Sequence, residues 1–283
     1  MPLSLGFATR TAAAFATRTA AAFALLLACG AAAPSPGARD LFPRARADAY
    51  LLLADGAVVA ERNADAPHAP ASLAKLMTAL VLLDRRWDPT AVVVVGPRAA
   101  AQQGAALGLR AGERLRAGDL LAAMLVRSAN DAAVALAEHA AGDAPRFVAA
   151  MNARAAALGL SRTHFANPTG LDAPGQTTSA RDLARLAAEA LERPEIAEAV
   201  ARREGSIKTL GGRVLRFRST NALLGSFAGA RGVKTGDTAR AGSCLVALAE
   251  RPPRRAMLVL LGAPDRWWTA AAMLEEALDA RRR

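Results

Sequence analysis

The sequence predicts an α+β fold in which both ends of the chain build one sheet and the middle forms an all-helical lobe. Three observations predict it. Strand-type patterning covers residues 48–63 and returns after Gly205. Between these stretches, to about residue 203, apolar residues recur at helical spacing. One further helical pattern closes the chain. Such an arrangement leaves a cleft where the sheet edge meets the helical lobe, a usual place for an active site.

The elements follow in order. Residues 1–33 carry Arg10 and Arg18, no acid before Asp40, and the apolar run Ala20–Ala28. This is the pattern of an export signal, and the run is too short for a membrane span. "LLAC", Leu26 to Cys29, resembles a lipobox, in which the cysteine is lipidated and becomes the new N-terminus; cleavage after Ala33 at an A-x-A site is the alternative. We read residues 1–29 as a signal peptide, 30–43 as a Pro/Gly/Ala linker and 44–283 as one two-lobed unit. The expected location is outside the cytoplasm, in the periplasm or cell envelope, with a lipid anchor through Cys29 if the lipobox is used. Lipidation would leave Cys244 alone, so no intrachain disulfide is expected.

"DAYLLLADGAVVAERN" (48–63) reads as two strands around an Asp55-Gly56 hairpin turn. A helix beginning "ASLAKLMTALVLL" follows Pro67 and Pro70. "AGDLLAAMLV", "DAAVALAEHAAG", "APRFVAAMNARAAALG" and "SARDLARLAAEAL" continue the helical run, with starts signed by Asp119 and Ser179. "SIKTLGGRVLRF", "ARGVKTGDT", "SCLVALAE" and "RRAMLVLLGA" revert to strands, and "DRWWTAAAMLEEALDARRR" forms the last helix.

The net charge of +11 suits an acidic partner, but arginine is scattered along the chain and aromatics make up only 4%. No nucleic-acid-binding motif occurs, so no nucleic-acid partner is expected. Of 36 basic residues only three are lysine: Lys75, Lys208 and Lys234. A retained lysine suggests a need for a compact ammonium that can lose its proton, as arginine cannot.

Two of those lysines fall inside short motifs. S-x-x-K is Ser72-Leu73-Ala74-Lys75 at a helix start; S-x-N is Ser128-Ala129-Asn130 in a break between helices; K-T-G is Lys234-Thr235-Gly236 in a strand. Each is weak alone, yet the three in this order form the signature of penicillin-binding proteins and class A β-lactamases. Around them, "ASLAKLMTA", "RSANDAAVALAEHAAG", "THFANPTGLDAPGQTTSARDLARLA" and "GVKTGDTARAGSCLVAL" resemble the low-molecular-mass penicillin-binding proteins, the serine D-alanyl-D-alanine carboxypeptidase family, across about residues 44 to 265. The resemblance implies the β-lactamase/transpeptidase-like fold, with a five-stranded antiparallel sheet flanked by helices, and makes residues 44–283 a catalytic domain.

The chemistry can be built on the residues themselves. A serine hydroxyl is a poor nucleophile until a base takes its proton. Ser72 and Lys75 lie at i, i+3, on one helical face, so the amine reaches the hydroxyl. A free lysine keeps its proton to about pH 10.4, so neutrality near pH 7 needs about 4.6 kcal/mol of bias against the ammonium. Burial and a second ammonium both supply it, and Lys234 is the obvious second ammonium. By resemblance, Ser128 relays a proton to the leaving amine with help from Lys234, and Asn130 hydrogen-bonds the substrate amide. Thr235 helps hold a terminal carboxylate, beside Gly236. The N–H groups of Ser72 and Asp237 meet the oxyanion, each such donor contributing about 2.7–4 kcal/mol. Asp237 is an unusual acid at the border of an anionic substrate.

Simpler readings suit the remaining candidates. Lys208 is a solvated strand lysine; His68, His139 and His164 stand apart from other ligand types, so neither metal nor cofactor is expected. Cys244 is inert core, and Asp172 of the "NPTGLDAPG" loop is a turn residue. "GARGVKTG" lacks the spacing of a phosphate loop.

No E-x-x-L-N occurs between Asn130 and Lys234, so the water-activating glutamate of a class A β-lactamase is missing. The expected activity is that of a serine D,D-carboxypeptidase, removing the terminal D-alanine of peptidoglycan stem peptides through a Ser72 acyl-enzyme and trapped by β-lactams. A D,D-endopeptidase cutting cross-links is the alternative, favoured by the shortness of the chain after the last helix. A non-catalytic penicillin-sensing module is a third reading, disfavoured because every motif position is filled.

Overall fold

A computed structural model describes Phe42 and residues 44–279. The leader, Cys29 and most of the linker lie outside the described residues. The chain enters through a hairpin, β1 (Ala49–Ala54) and β2 (Ala57–Arg62). Its turn is Asp55-Gly56, with φ of 49° and 86°, the left-handed pair that a two-residue hairpin requires. A 3-10 turn, Ala71–Ala74, then runs into α1 (Lys75–Leu83), which is buried along its whole length.

The helical lobe continues with α2 (Pro97–Ala100), α3 (Ala117–Val126), α4 (Asn130–Ala141), α5 (Ala144–Ala157), α6 (Ala180–Leu191) and α7 (Pro194–Val200). Ser179 caps α6 as expected, its side chain accepting from Asp182 N. Asp119 does not cap α3: the helix starts earlier, with Arg116 at the N-cap, and Asp119 lies in the first turn. The lobe also contains a small ribbon that periodicity missed, β3 (Val92–Val94) paired with β4 (Arg114–Arg116). Three residues are too few to show a period of two.

After the helices come β5 (Glu204–Lys208), β6 (Val214–Arg218), β7 (Ala230–Thr238), β8 (Gly242–Arg251), β9 (Arg254–Leu261) and α8 (Arg266–Leu278). β5 and β6 pair only with each other. The main sheet has the order β2-β1-β9-β8-β7, every pairing antiparallel. Thus the late strand β9 lies at the centre, between the first strand and β8. Its run Ala256–Leu261 is buried throughout because both faces of the sheet are covered. α8 seals one face with Met273, Leu274 and Ala277 against Leu245, Ala247 and Leu258. α6 and the 3-10 turn lie against the sheet as well, and β2 and β7 form its two edges.

Candidate active site

Ser72 is set on the 3-10 turn, and the backbone just before it is strained. Ala71 has φ of 48°, a conformation that a residue with a Cβ seldom adopts. Two glycines hold it there. A Cβ on Gly170 would lie 1.8 Å from the Ala71 carbonyl oxygen, and one on Gly236 would meet the Ala71 Cβ at 2.8 Å and the Ser72 nitrogen at 3.2 Å. The glycine of K-T-G is therefore required by close packing of β7 on the backbone of Ala71 and Ser72. Gly170 belongs to the "NPTG" loop, pinned by Asn167 Oδ1, which accepts from Thr169 N, Thr169 Oγ1 and Gly170 N. Thr78 Oγ1 on α1 ties down the same loop by donating to Pro168 O at 2.7 Å.

Lys75 is fully buried, and its Nζ meets three oxygens: Ser72 Oγ at 2.9 Å, Asn130 Oδ1 at 2.7 Å and Thr169 O at 2.6 Å. The Asn130 amide orientation follows from its other bond, Nδ2 donating to Gln103 O at 2.6 Å. Asn130 Oδ1 and Thr169 O can only accept, so a neutral amine gives them its two N–H groups. Its lone pair is then left for the Ser72 hydroxyl proton. The environment favours that state. Burial first, and then the charge of Lys234, push Lys75 well below the ordinary lysine range, against a smaller opposing pull from Asp131. Asp131 accepts from Leu107 N and Leu109 N rather than from the amine. Among the described residues no carboxylate is hydrogen-bonded to Ser72 or Lys75.

Lys234 is also buried, donating to Thr235 O at 3.0 Å. Burial and then Arg266 lower its pKa to about 7. Ser128, only 4% exposed, stands between α3 and α4 with φ of 65°. Such strain is held only where the surroundings over-determine it, and it gathers at functional sites. Asn130 opens α4 directly after it, with its N–H on Ala105 O at 2.7 Å. The three motifs, far apart in sequence, thus meet around one buried amine.

The remaining expected residues occupy the same strand. Thr235 Oγ1 is hydrogen-bonded to Thr220 Oγ1. Asp237 carries its carboxylate beside Ser243 Oγ at 2.8 Å and Arg266 Nη1 at 3.3 Å. Arg266 opens α8, so strand alternation turns the Asp237 side chain toward the α8 face, away from the Lys234 and Gly236 face. The Asp237 carboxylate thus has a guanidinium beside it while staying largely exposed. Asp172 accepts from Thr238 Oγ1 and Arg240 N, tying its loop to the β7–β8 turn. Cys244 is buried and its thiol is pushed up to about 11, chiefly by burial, as an inert core cysteine should be.

Sequence reasoning missed the Thr169 carbonyl, Thr220 and Arg266. Backbone acceptors leave no mark in a sequence, though the Asn-Pro-Thr-Gly turn was a visible sign that this loop is rigid. Nothing around Thr220 distinguished it from any loop threonine.

This geometry has close counterparts. The family profile described as D-alanyl-D-alanine carboxypeptidase matches residues 38–265. The D-alanyl-D-alanine carboxypeptidase DacC of Escherichia coli is 38% identical over 234 residues, 78% of this chain and 58% of that protein. DacF of Bacillus subtilis is 34% identical over 212 residues, 74% of this chain and 54% of that protein. The chain therefore spans a little over half the length of these curated relatives. The crystal structure of a D-alanyl-D-alanine carboxypeptidase from Mycobacterium tuberculosis superposes with a TM-score of 0.78 at 31% identity, covering 88% of this chain and 97% of that one. By its motifs, its fold and these matches, the chain belongs to the D-alanyl-D-alanine carboxypeptidase family.

Proposed function

We propose that the protein is a serine D,D-carboxypeptidase that removes the terminal D-alanine from peptidoglycan stem peptides, and that β-lactams acylate it at the same serine. The observation that carries this reading is the buried Lys75 amine, 2.9 Å from Ser72 Oγ, with its other two partners both obligate acceptors. Ser72 attacks the carbonyl of the penultimate D-alanine as its proton passes to Lys75. Ser128 relays the proton held by the Lys75 ammonium to the leaving amine, which departs as D-alanine, and Lys234 supports it with its charge. Asn130 orients Lys75 and the substrate amide; Thr235, Gly236 and the N–H of Asp237 line the β7 edge against the substrate. Water then cleaves the ester and restores Ser72.

The same reading places residues 44–283 in the cell envelope as the catalytic domain, behind a leader at 1–29 and a linker at 30–43. Cys29 would be lipidated at the lipobox. The mass of the mature N-terminus tests this: an acylated Cys29 supports it, and a chain beginning at Pro34 refutes the anchor. The activity itself is tested on muropeptide monomers and cross-linked dimers. D-alanine released from monomers is the expected result; cleavage of dimers alone would make the enzyme an endopeptidase.

A further inference from the structure

A shallow groove of about 580 Å³ lies on the β5–β6 ribbon, lined by Arg127, Arg216, Arg218, Glu204 and Ser206, with Phe217 over Gly205 at its floor. The ribbon register sets Glu204 opposite Arg218 and Ser206 opposite Arg216, so these four side chains share its outer face. The groove adjoins the catalytic residues at both ends. Arg127 is the residue before Ser128, and two residues after Arg218 comes Thr220, whose hydroxyl is bonded to Thr235. The same Thr220 donates its N–H to Val126 O at 3.3 Å, closing the ribbon onto the end of α3.

The charge of the groove is one-sided. Glu204 is its single acid, 3.8 Å from Arg218 with both side chains largely in solvent, an ion pair of little strength. Among the described residues Arg127 and Arg216 have no carboxylate partner. A guanidinium offers paired N–H donors that match a carboxylate.

We propose that this groove holds free carboxylates of the stem peptide upstream of the scissile bond, so that Arg127, Arg216 and Arg218 select an anionic peptide. The inference rests on the carboxypeptidase reading for its substrate. The test uses a synthetic pentapeptide ending in D-alanyl-D-alanine with its upstream carboxylates free, and a twin with those carboxylates amidated. Wild type should prefer the anionic peptide in kcat/KM, through KM, and the preference should shrink as ionic strength rises. Arg216→Gln/Arg218→Gln should lower that preference about tenfold, the scale of two surface ion pairs together. The charge-matched Arg146→Gln/Arg162→Gln variant, remote in sequence from the ribbon, should keep it. Equal losses on both peptides, or equal effects of the two double variants, would overturn the proposal. So would displacement of the anionic peptide by an oligonucleotide of equal charge, which would mark a non-selective basic surface. Binding of the two peptides to Ser72→Ala protein gives the same comparison without turnover. If neither peptide loses D-alanine while penicillin still acylates Ser72, the carboxypeptidase reading fails, and this binding difference alone decides the groove.

Discussion

At the scale of single residues, the site depends on two lysines whose hold on a proton is weakened by burial. Arginine in place of Lys75 stays protonated, so Lys75→Arg should cut the rate of penicillin acylation by about 10²–10⁴-fold, the usual contribution of a general base. Mass spectrometry of the penicilloyl adduct measures it, and near-wild-type acylation would refute the neutral amine. Lys234 gives a second test with two readouts. Its charge helps lower Lys75, so Lys234→Met should move the acid limb of the acylation profile to higher pH. Its own folded pKa, about 7, lies below the unfolded value, so the folded state binds fewer protons between about pH 7 and 10 and stability rises with pH there. The buried charge is most destabilising below pH 7. Lys234→Met should therefore raise Tm more at pH 6 than at pH 9, while impairing turnover. A gain that is independent of pH would show that Lys234 is not buried as a titrating ammonium.

At the scale of elements, the site exists because a strand, a turn and a loop touch without room for a methyl group. Gly236→Ala puts a Cβ 2.8 Å from that of Ala71 and should push β7 off the 3-10 turn. We expect a loss of about 1–3 kcal/mol in denaturant unfolding, with acylation falling further than stability alone explains. Wild-type acylation in this variant would show that the contact is dispensable. These contacts also mark how much the sequence disclosed. The Asp55-Gly56 hairpin, α6 with its Ser179 cap, and the last three strands were legible because turn chemistry and periodicity agree there. S-x-x-K, S-x-N and K-T-G were legible because chemistry fixes their spacing. β3 and β4 were not, being short, and Asp119 looked like a cap while lying inside α3. The separation of β5 and β6 from the main sheet was illegible because local patterning does not specify which strands pair.

At the scale of the whole molecule, the proposed reaction turns on what would surround an acyl-enzyme. Asp131, the acid whose charge reaches Lys75, is bonded to the backbone N–H groups of Leu107 and Leu109. No E-x-x-L-N segment supplies a water-activating glutamate. The penicilloyl-enzyme should therefore persist, giving one equivalent of bound drug and slow recovery of activity. Steady hydrolysis of benzylpenicillin at tens per second would overturn this.

The central position of β9 has a consequence for how the chain reaches its working place. β9 spans Arg254–Leu261 yet lies between β1 and β8 in the sheet. Until that segment has been synthesised, the first hairpin and β7 have no strand to join them in one sheet. Contacts that distant in sequence close slowly. A chain made only as far as β8 would thus lack the middle of its sheet. The export proposed above would then precede closure of the sheet.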